Sequence, residues 1–172
     1  MTDMLVKLYD LPDYYPVQMR LLERRIEIRQ PFASEKRVLV PWIKENFHDI
    51  WAAECGSVLD RDPINCFIAV RKQPLKQPSV DPYQLPPEKI LGFACFDVAR
   101  KGMFGPMAVL DVYQGQGIGK GLLLASMHAM EAQNYAYAVI WYVGPAEFYA
   151  KTVGAVPIEG SAPGFYRGPL VG

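Results

Sequence analysis

Apolar and polar positions alternate along the chain with two different periods, which predict both strands and helices. Residues 26–29 alternate in steps of two, as a half-buried strand does. The residues after Ser34 and after Asp49 instead place apolar side chains at helical spacing, and each of these two polar residues can cap a helix. Pro41 falls inside the first of these helices, so we expect a kink or a break there.

The second half of the chain also alternates between strands and helices. Residues 137–143 are continuously apolar, which predicts a central strand covered on both faces. Residues 74–87 contain five prolines without a P-x-x-P spacing, which favours an extended surface loop in a hairpin over an SH3-type ligand. The remaining predicted elements are strands at 64–71, 89–99, 103–110, 156–158 and 165–167, and helices at 117–133 and 145–154.

The length of the chain predicts a single domain. Its 172 residues are enough for one full hydrophobic core, and a second domain is not expected. We place this domain at residues 26–172. Residues 1–25, which include a short helix after Pro16, are interpreted as a lead-in segment that packs on the domain. Their pattern does not indicate what the segment does.

The charge balance argues against several classes of function. Eighteen basic residues balance eighteen acidic ones, so the sequence has no electrostatic footprint for nucleic acid or for an anionic membrane. Apolar runs never reach the ~18 residues of a membrane span, and Asp3 stands where a signal peptide carries lysine or arginine. We therefore expect a cytoplasmic protein that binds neither nucleic acid nor membrane.

The cysteines and histidines give no sign of a metal site. Cys55, Cys66 and Cys95 lack the C-x-x-C spacing and lie among apolar residues, which favours core packing. His48 and His128 are far apart in sequence. We therefore predict that the protein holds no metal ion.

The strongest signal for chemistry is a run of glycines at every second position from Gly115 to Gly121. The run joins an apolar strand to an apolar helix. Glycine permits positive φ there, and the free N–H groups of the helix start favour an anion. The run fits neither familiar nucleotide motif: the last glycine of G-x-G-x-x-G would fall on Lys120 or Leu122, and a P-loop would need glycine at Gln114.

Gln114, Gly117 and Gly119 instead match a Q/R-x-x-G-x-G/A signature, and residues 146–155 are similar to an A-x-x-x-Y-x-K...G segment. On these two blocks the chain resembles the GCN5-related N-acetyltransferase (GNAT) superfamily over about residues 26–167. The resemblance implies a mixed α/β fold, in which helices flank a central, mostly antiparallel sheet. It also implies acetyl-CoA as the acyl donor, and it permits a homodimer.

The resemblance assigns the coenzyme A site to the glycine run and to the strand before it. The pyrophosphate is expected on N–H groups of residues 116–120, assisted by the helix dipole and by the positive charge of Lys120. The preceding strand is expected to separate from its neighbour and to pair its exposed backbone with the pantetheine amides. Pro106 suits such an irregular strand. The implied cofactor-binding residues are Ala108, Val109, Gln114, Gly115, Gln116, Gly117, Ile118, Gly119, Lys120 and Phe148.

Tyr149 is the predicted catalytic acid. It shares helical spacing with Ala146, Ala150 and Val153, which places it on the inward face of its helix. By resemblance, a tyrosine at this position protonates the departing coenzyme A thiolate. A phenol with a pKa near ~10 can give its proton to a thiolate near ~8.5 only slightly uphill.

The identity of the general base stays open, because residues 103–110 contain no carboxylate where members of the superfamily often carry one. Asp97 on the neighbouring strand, Glu54 on the second helix and an ordered water are the candidates. A second departure is Gly144-Pro145, where many relatives carry an asparagine that contacts the cofactor.

The acceptor site is expected among the helices after Ser34 and Asp49 and the hairpin loops. Helical spacing favours core packing for Trp42 and Phe47, whereas Trp51 is an equal candidate for core packing and for contact with substrate. The sequence thus predicts an acetyl-CoA-dependent N-acetyltransferase in which a primary amine of a small molecule or peptide attacks directly in a ternary complex. Two alternatives stay open: a non-catalytic acyl-CoA-binding or regulatory module, and an acyltransferase with another acyl donor or a hydroxyl acceptor.

Overall fold

Seven strands form one mixed sheet in the computed structural model, which describes residues 2–73 and 87–165. Their order across the sheet is β2-β3-β4-β5-β6-β1-β7. Every neighbouring pair is antiparallel except β5 and β6, which are parallel, so the mixed, mostly antiparallel sheet is confirmed. The strands are β1 (Met4–Lys7), β2 (Ile26–Arg29), β3 (Cys66–Lys72), β4 (Glu88–Phe96), β5 (Met103–Val109), β6 (Tyr137–Ile140) and β7 (Val156–Pro157).

Helices cover both faces of the sheet and divide the interior into two cores. The helices are α1 (Tyr15–Glu23), α2 (Lys36–Asn46), α3 (Asp49–Val58), α4 (Ile118–Ala132) and α5 (Ala146–Val153). Side chains of α1, α4 and α5 form one core, and those of α2 and α3 form the other. Successive residues of β3 alternate between them, since Ala69 packs with α4 whereas Ile68 and Val70 pack against α2 and α3. None of the described helices is long and apolar enough to span a membrane.

The N-terminal segment contains a strand that the sequence analysis did not predict. Strand β1 lies between β6 and β7, where Leu5 pairs with Val139 on one side and with Val156 on the other. Met4 and Val6 are buried in the core that contains α4. Four residues carry too little periodicity to distinguish a strand from a loop, and long-range pairing with β6 decides the outcome.

Two further predicted elements differ from the structure. Helix α2 runs unbroken through Pro41 and follows a 3₁₀ turn at Ala33–Glu35. Strand β6 ends at Ile140 and is not covered on both faces, because Tyr137 is 48% exposed. The predicted loop of 74–87 and the last predicted strand lie almost wholly outside the described residues. The hairpin connection of β3 to β4 is antiparallel as predicted.

Strand β5 is bonded along most of its length to β4 but only briefly to β6. The ladder to β6 consists of the pairs Met103–Val139 and Phe104–Ile140. The ladder to β4 continues as far as Val109, with a register shift beside Pro106. The two parallel strands therefore separate after Phe104, and the second half of β5 presents backbone groups to the gap.

The position of β5 depends on Gly92, its partner on β4. Gly92 pairs with Val109, and a Cβ atom at Gly92 would lie 2.7 Å from the carbonyl oxygen of Ala108 and 3.2 Å from a methyl carbon of Leu122. A backbone atom cannot rotate away as a side chain can. Any larger residue at this position must therefore push β5 away from β4.

We expect Gly92→Ala to lower the free energy of unfolding by ~1–3 kcal/mol, because it overpacks the β4–β5 contact. Gly56→Ala is the matched control. It lies within α3, where the added Cβ meets only side-chain atoms of Val40 and Lys36 at an ordinary 3.5 Å and 3.9 Å, so it should be neutral or stabilising by up to ~1 kcal/mol. Urea unfolding of both variants measures the difference. Equal midpoints for Gly92→Ala and wild type would contradict the expectation.

Candidate active site

A cleft opens where β5 and β6 separate. Its smaller part is a cavity of about 300 Å³ between the second half of β5, the segment that follows β6 and the start of α5. Trp51 of α3 forms part of the wall, and Tyr149 of α5 forms another part. The other lining side chains are apolar or aromatic, among them Phe104, Trp141 and Tyr142.

The larger part is a cavity of about 580 Å³ that runs beside the end of β5 and the start of α4. It brings together all of the predicted cofactor-binding residues except Gln116. Those that line it are Ala108, Val109, Gln114, Gly115, Gly117, Ile118, Gly119, Lys120 and Phe148.

The two cavities form one continuous cleft. They share four wall residues, which are Trp51, Met107, Pro145 and Tyr149. An extended ligand that begins at the start of α4 and follows β5 would therefore reach Tyr149, with the smaller cavity beyond it. Met107 and Pro145 were not predicted as site residues. For Pro145 a signal existed, since it stands where the superfamily pattern has a different residue.

The glycine run has three structural roles. Gly115 and Gly117 adopt φ values of +73° and +85°, and Gly117 is the N-cap of α4. Gly119 faces the cavity, where an added Cβ would lie 3.8 Å from the ring of Phe148. Gly121 packs inside the core instead, because its Cβ would lie 2.5 Å from Ile28. The run thus serves both an open turn and close helix packing.

The start of α4 can bind an anion. No side chain of the part of the chain that the structure describes caps it, and its first backbone hydrogen bond runs from Gly121 N–H to Gly117 C=O. The N–H groups of residues 118–120 precede that bond, so they have no acceptor within the helix. Together with the helix dipole and the ammonium group of Lys120, they favour negative charge in the adjoining cavity.

Gln114 holds the turn against the end of β5. Its side-chain amide donates hydrogen bonds to the Val109 carbonyl oxygen at 3.3 Å and to Asp111 Oδ1 at 2.8 Å. Next to it, Tyr113 accepts a hydrogen bond from Lys89 Nζ at 3.0 Å. These bonds fix the distance between the strand edge and the helix start, so Gln114 shapes the cavity that it lines.

Tyr149 lies on the buried face of α5, as predicted. It is 8% exposed, and its ring packs edge-on against Phe148 with 5.1 Å between the centroids. Burial raises the pKa of its phenol, so the hydroxyl is protonated at neutral pH. The face was assigned partly wrongly, however, because Ala146 and Ala150 are exposed and Thr152 is buried in their place. A further helical turn of apolar and polar residues would have shown which face is buried, but α5 has only 8 residues.

The two carboxylates considered as the base have different surroundings. Glu54 lies one turn after Trp51 on α3, and its Oε2 is buried with no hydrogen-bond partner among the described residues. Burial raises the pKa of this carboxyl group. Neither carboxylate is among the residues that line the two cavities, and Asp97 is 3% exposed. Its carboxylate accepts hydrogen bonds from Gly102 N–H at 2.7 Å, Tyr135 OH at 2.7 Å and Asn65 Nδ2 at 3.1 Å.

The aromatic residues of α2 and α3 are divided between core and cleft. Trp51 lines both cavities, and Phe47 lines the larger one. Phe47 also packs against Trp42 and Phe93, with ring centroids 5.6 Å and 5.9 Å away. The expectation of core packing for Phe47 is therefore incomplete, since the same ring contributes to the cleft wall.

The sequence matches the model of the acetyltransferase (GNAT) family over residues 38–155. The matched stretch begins within α2 and ends just after α5, so it contains the glycine turn, β5 and Tyr149. A sequence search among curated proteins gives no match.

Three solved structures are similar in fold. The first is a GCN5-related glucosamine N-acetyltransferase region of a fungal multi-domain GH3 β-N-acetylglucosaminidase, with a TM-score of 0.67 and 16% identity over 91% of this chain and 19% of that one. The second is a GCN5-related N-acetyltransferase from Sphaerobacter thermophilus, with a TM-score of 0.62 and 17% identity over 91% and 48% of the two chains. A Drosophila protein follows with a TM-score of 0.57 and 16% identity, over 91% and 47%. The chain thus spans less than half of each of these proteins, and the likeness concerns the fold alone.

Proposed function

The chain belongs to the GNAT family of acetyltransferases, and we propose that it transfers an acetyl group from acetyl-CoA to a primary amine of a small molecule. The continuous cleft carries this proposal. It has a helix start with free N–H groups at one end, a strand edge without a ladder partner among the described residues along its length, and a buried tyrosine at the junction with a second, apolar cavity. A dinucleotide- or phosphate-binding role would use only the first of these features.

The donor half of the cleft suits coenzyme A. The N–H groups of residues 118–120 and the ammonium group of Lys120 would hold the pyrophosphate. The bond from Leu110 N–H to Leu91 C=O makes Ala108 part of a bonded pair with β4, so the backbone groups of Met107 and Val109 are the ones that face the gap. They would bond the pantetheine amides as an added strand does, while Ala108 contributes to the cavity wall. The thioester end of a donor held in this way lies toward Tyr149 and Trp51, which both cavities share.

Tyr149 would act as the general acid. The neutral amine attacks the thioester carbonyl carbon, and the resulting tetrahedral intermediate collapses as its C–S bond breaks. The departing sulfur takes the phenolic proton of Tyr149, which later regains a proton from solvent. Because burial raises the pKa of Tyr149, its hydroxyl is in the donating form at neutral pH.

Glu54, which lies one turn after Trp51 and lines neither cavity itself, would act as the general base through a bridging water molecule. An amine that attacks must lose one proton, and the acceptor should have a pKa closer to neutrality than that of an exposed carboxylate. Burial raises the pKa of Glu54, and its Oε2 is without a competing hydrogen bond among the described residues. Asp97 is less suited, since three donors already bind its carboxylate and hold the turn that follows β4.

The second cavity favours an amine with an apolar or aromatic body. Trp51, Phe104, Trp141 and Tyr142 contribute to its wall, and none of the described residues that line it carries a charge. A polyol or a polyamine would lose hydration in this cavity without a charged or strongly polar partner. The glucosamine named for the fungal structure is such a polar amine, but that likeness is limited to the fold.

We expect acetyl-CoA-dependent turnover of 2-phenylethylamine with a kcat/KM at least ~10-fold above that of glucosamine and of spermidine. The reason is the apolar wall of the second cavity. Thiol release measured at equal amine concentrations, with detection of the acetylated product, provides the comparison. Tight binding of acetyl-CoA with only background hydrolysis for every amine would favour a non-catalytic binding module. A preference for glucosamine would contradict the proposed apolar acceptor and leave the proposed acetyl transfer standing.

Tyr149→Phe should lower kcat by ~10²- to 10⁴-fold, because it removes a general acid, and it should leave acetyl-CoA affinity nearly unchanged. Single-turnover kinetics and calorimetric binding separate the two effects. Tyr14→Phe is the matched control, since the Tyr14 hydroxyl is also buried but packs near His128, outside the cleft. An unaltered single-turnover rate for Tyr149→Phe would contradict the assignment of Tyr149 as the general acid.

Glu54→Gln should remove the acidic limb of the pH profile of kcat/KM. In the wild type, activity should rise with pH through the pKa of Glu54, which burial places above the ordinary carboxyl value, because only the carboxylate accepts a proton. We expect a loss of ~10²-fold above that pKa. Asp97→Asn is the comparison, and it should keep the limb while the fold is intact. The reverse result would identify Asp97 as the base.

A further inference from the structure

Three cysteine thiols converge in the core between the sheet and α3. Cys66 of β3 and Cys95 of β4 are directly paired across the antiparallel ladder, and Cys55 reaches them from the helix above. The Sγ atoms of Cys55 and Cys66 are 3.8 Å apart, and all three Sγ atoms lie within 4.8 Å of one another. Each cysteine is 0% exposed, and none forms a disulfide.

This convergence results from the register of the sheet. The pair next along the ladder is bonded from Phe96 N–H to Asn65 C=O. Antiparallel ladders alternate bonded and non-bonded pairs, so Cys66 and Cys95 occupy a non-bonded pair, in which side chains are closest. The sequence analysis predicted three separate core residues and no metal ion. The sequence does not show the register of β3 with β4, which places Cys66 opposite Cys95.

The spacing of the sulfur atoms suits one ion bound by all three. A sulfur–ion distance of about 2.3 Å places the sulfurs about 4.0 Å apart around a planar three-coordinate ion such as monovalent copper. Trivalent arsenic carries a lone pair and is pyramidal, so it would draw the three sulfurs somewhat closer together. The observed separations, from 3.8 Å up to the 4.8 Å limit, require only small side-chain adjustments. Among the described residues, no histidine or carboxylate joins the three thiols within that distance. Zinc, which normally takes four ligands, is therefore disfavoured.

The apolar surroundings favour a soft ion whose complex with the three thiolates has little net charge. The cluster lies among Ile68, Val58 and Phe93 in the core of α2 and α3, where an uncompensated charge is costly. Three thiolates around a trivalent ion give a neutral complex, and a monovalent soft ion leaves negative charge.

We propose that Cys55, Cys66 and Cys95 form a binding site for a soft, thiophilic ion that accepts three sulfur ligands, of which trivalent arsenic gives the neutral complex. Arsenous acid would react with the three thiols to form three As–S bonds, and three molecules of water would leave, with no change of oxidation state. Since the thiols are buried, entry requires a local opening of α3.

The site is joined to the cleft through α3. Cys55 follows Glu54 directly and lies four residues after Trp51, which is one helical turn. An ion that draws Cys55 toward β3 and β4 would change the position of this helix and of the cleft wall that it carries. Lower acetyl transfer after loading would follow, but that readout rests on the proposed function, whereas binding itself does not.

The full chain, fully reduced and then incubated with arsenite, should show one arsenic adduct by native mass spectrometry. The adduct mass should equal one arsenic atom less three hydrogen atoms, which counts the As–S bonds. Monovalent copper, supplied as its acetonitrile complex, is the second probe and tests whether charge balance selects the ion. Loading should also raise the urea midpoint, with an increase that follows the logarithm of the ligand excess.

Cys55→Ala, Cys66→Ala and Cys95→Ala should each weaken arsenite binding by at least ~10- to 100-fold and abolish the three-hydrogen loss. If a variant does not fold, the hydrogen count of the wild type alone decides. A wild-type adduct that loses fewer than three hydrogens, no adduct at all, or equal binding by folded alanine variants would overturn the proposal. An oxidised Cys55–Cys66 pair that resists reduction would overturn it as well.

Discussion

The cleft depends on one constraint: β5 must stay in the sheet while the second half of its edge toward β6 has no ladder partner among residues 2–73 and 87–165. Buried backbone groups without partners cost free energy, so an inner strand normally bonds on both sides. Here the ladder between β5 and β6 has only two pairs, and β4 alone holds the rest of β5. The open edge is thus a site for a ligand that carries amide groups of its own.

The strands on either side make this arrangement stable. β6 pairs with β1 along all four of its residues, so it keeps a strand conformation without a full ladder to β5. On the other side, Gly92 allows β4 to approach the carbonyl oxygen of Ala108 closely. The N-terminal strand and one glycine far from the chemistry therefore position the two edges between which substrate would lie.

Patterns among neighbouring residues predicted much of this architecture, whereas structure that depends on pairing between distant residues was not predicted. The glycine turn, the long α4 and the hairpin of β3 with β4 follow from turn chemistry and periodicity, which act over neighbouring residues. Strand β1 was missed because four residues acquire their structure from β6. The sequence also could not decide between Glu54 and Asp97 as the general base. The preference for Glu54 rests on the fold, which surrounds the Asp97 carboxylate with hydrogen-bond donors and leaves Glu54 Oε2 without one among the described residues.

Helix α3 carries one residue of the cleft wall, the proposed base and one residue of the cysteine cluster. Its successive turns present Trp51 to the cleft, Glu54 to a half-buried position without a partner, and Cys55 to the sulfur cluster. A helix moves largely as a unit, because its backbone bonds join each turn to the next. Hence a group that fixes Cys55 also restricts the movement of Trp51, which lies one turn earlier on the same helix and forms part of the cleft wall. The packing of one short helix in a dry core is in this way part of the geometry in which an amine would meet its acyl donor.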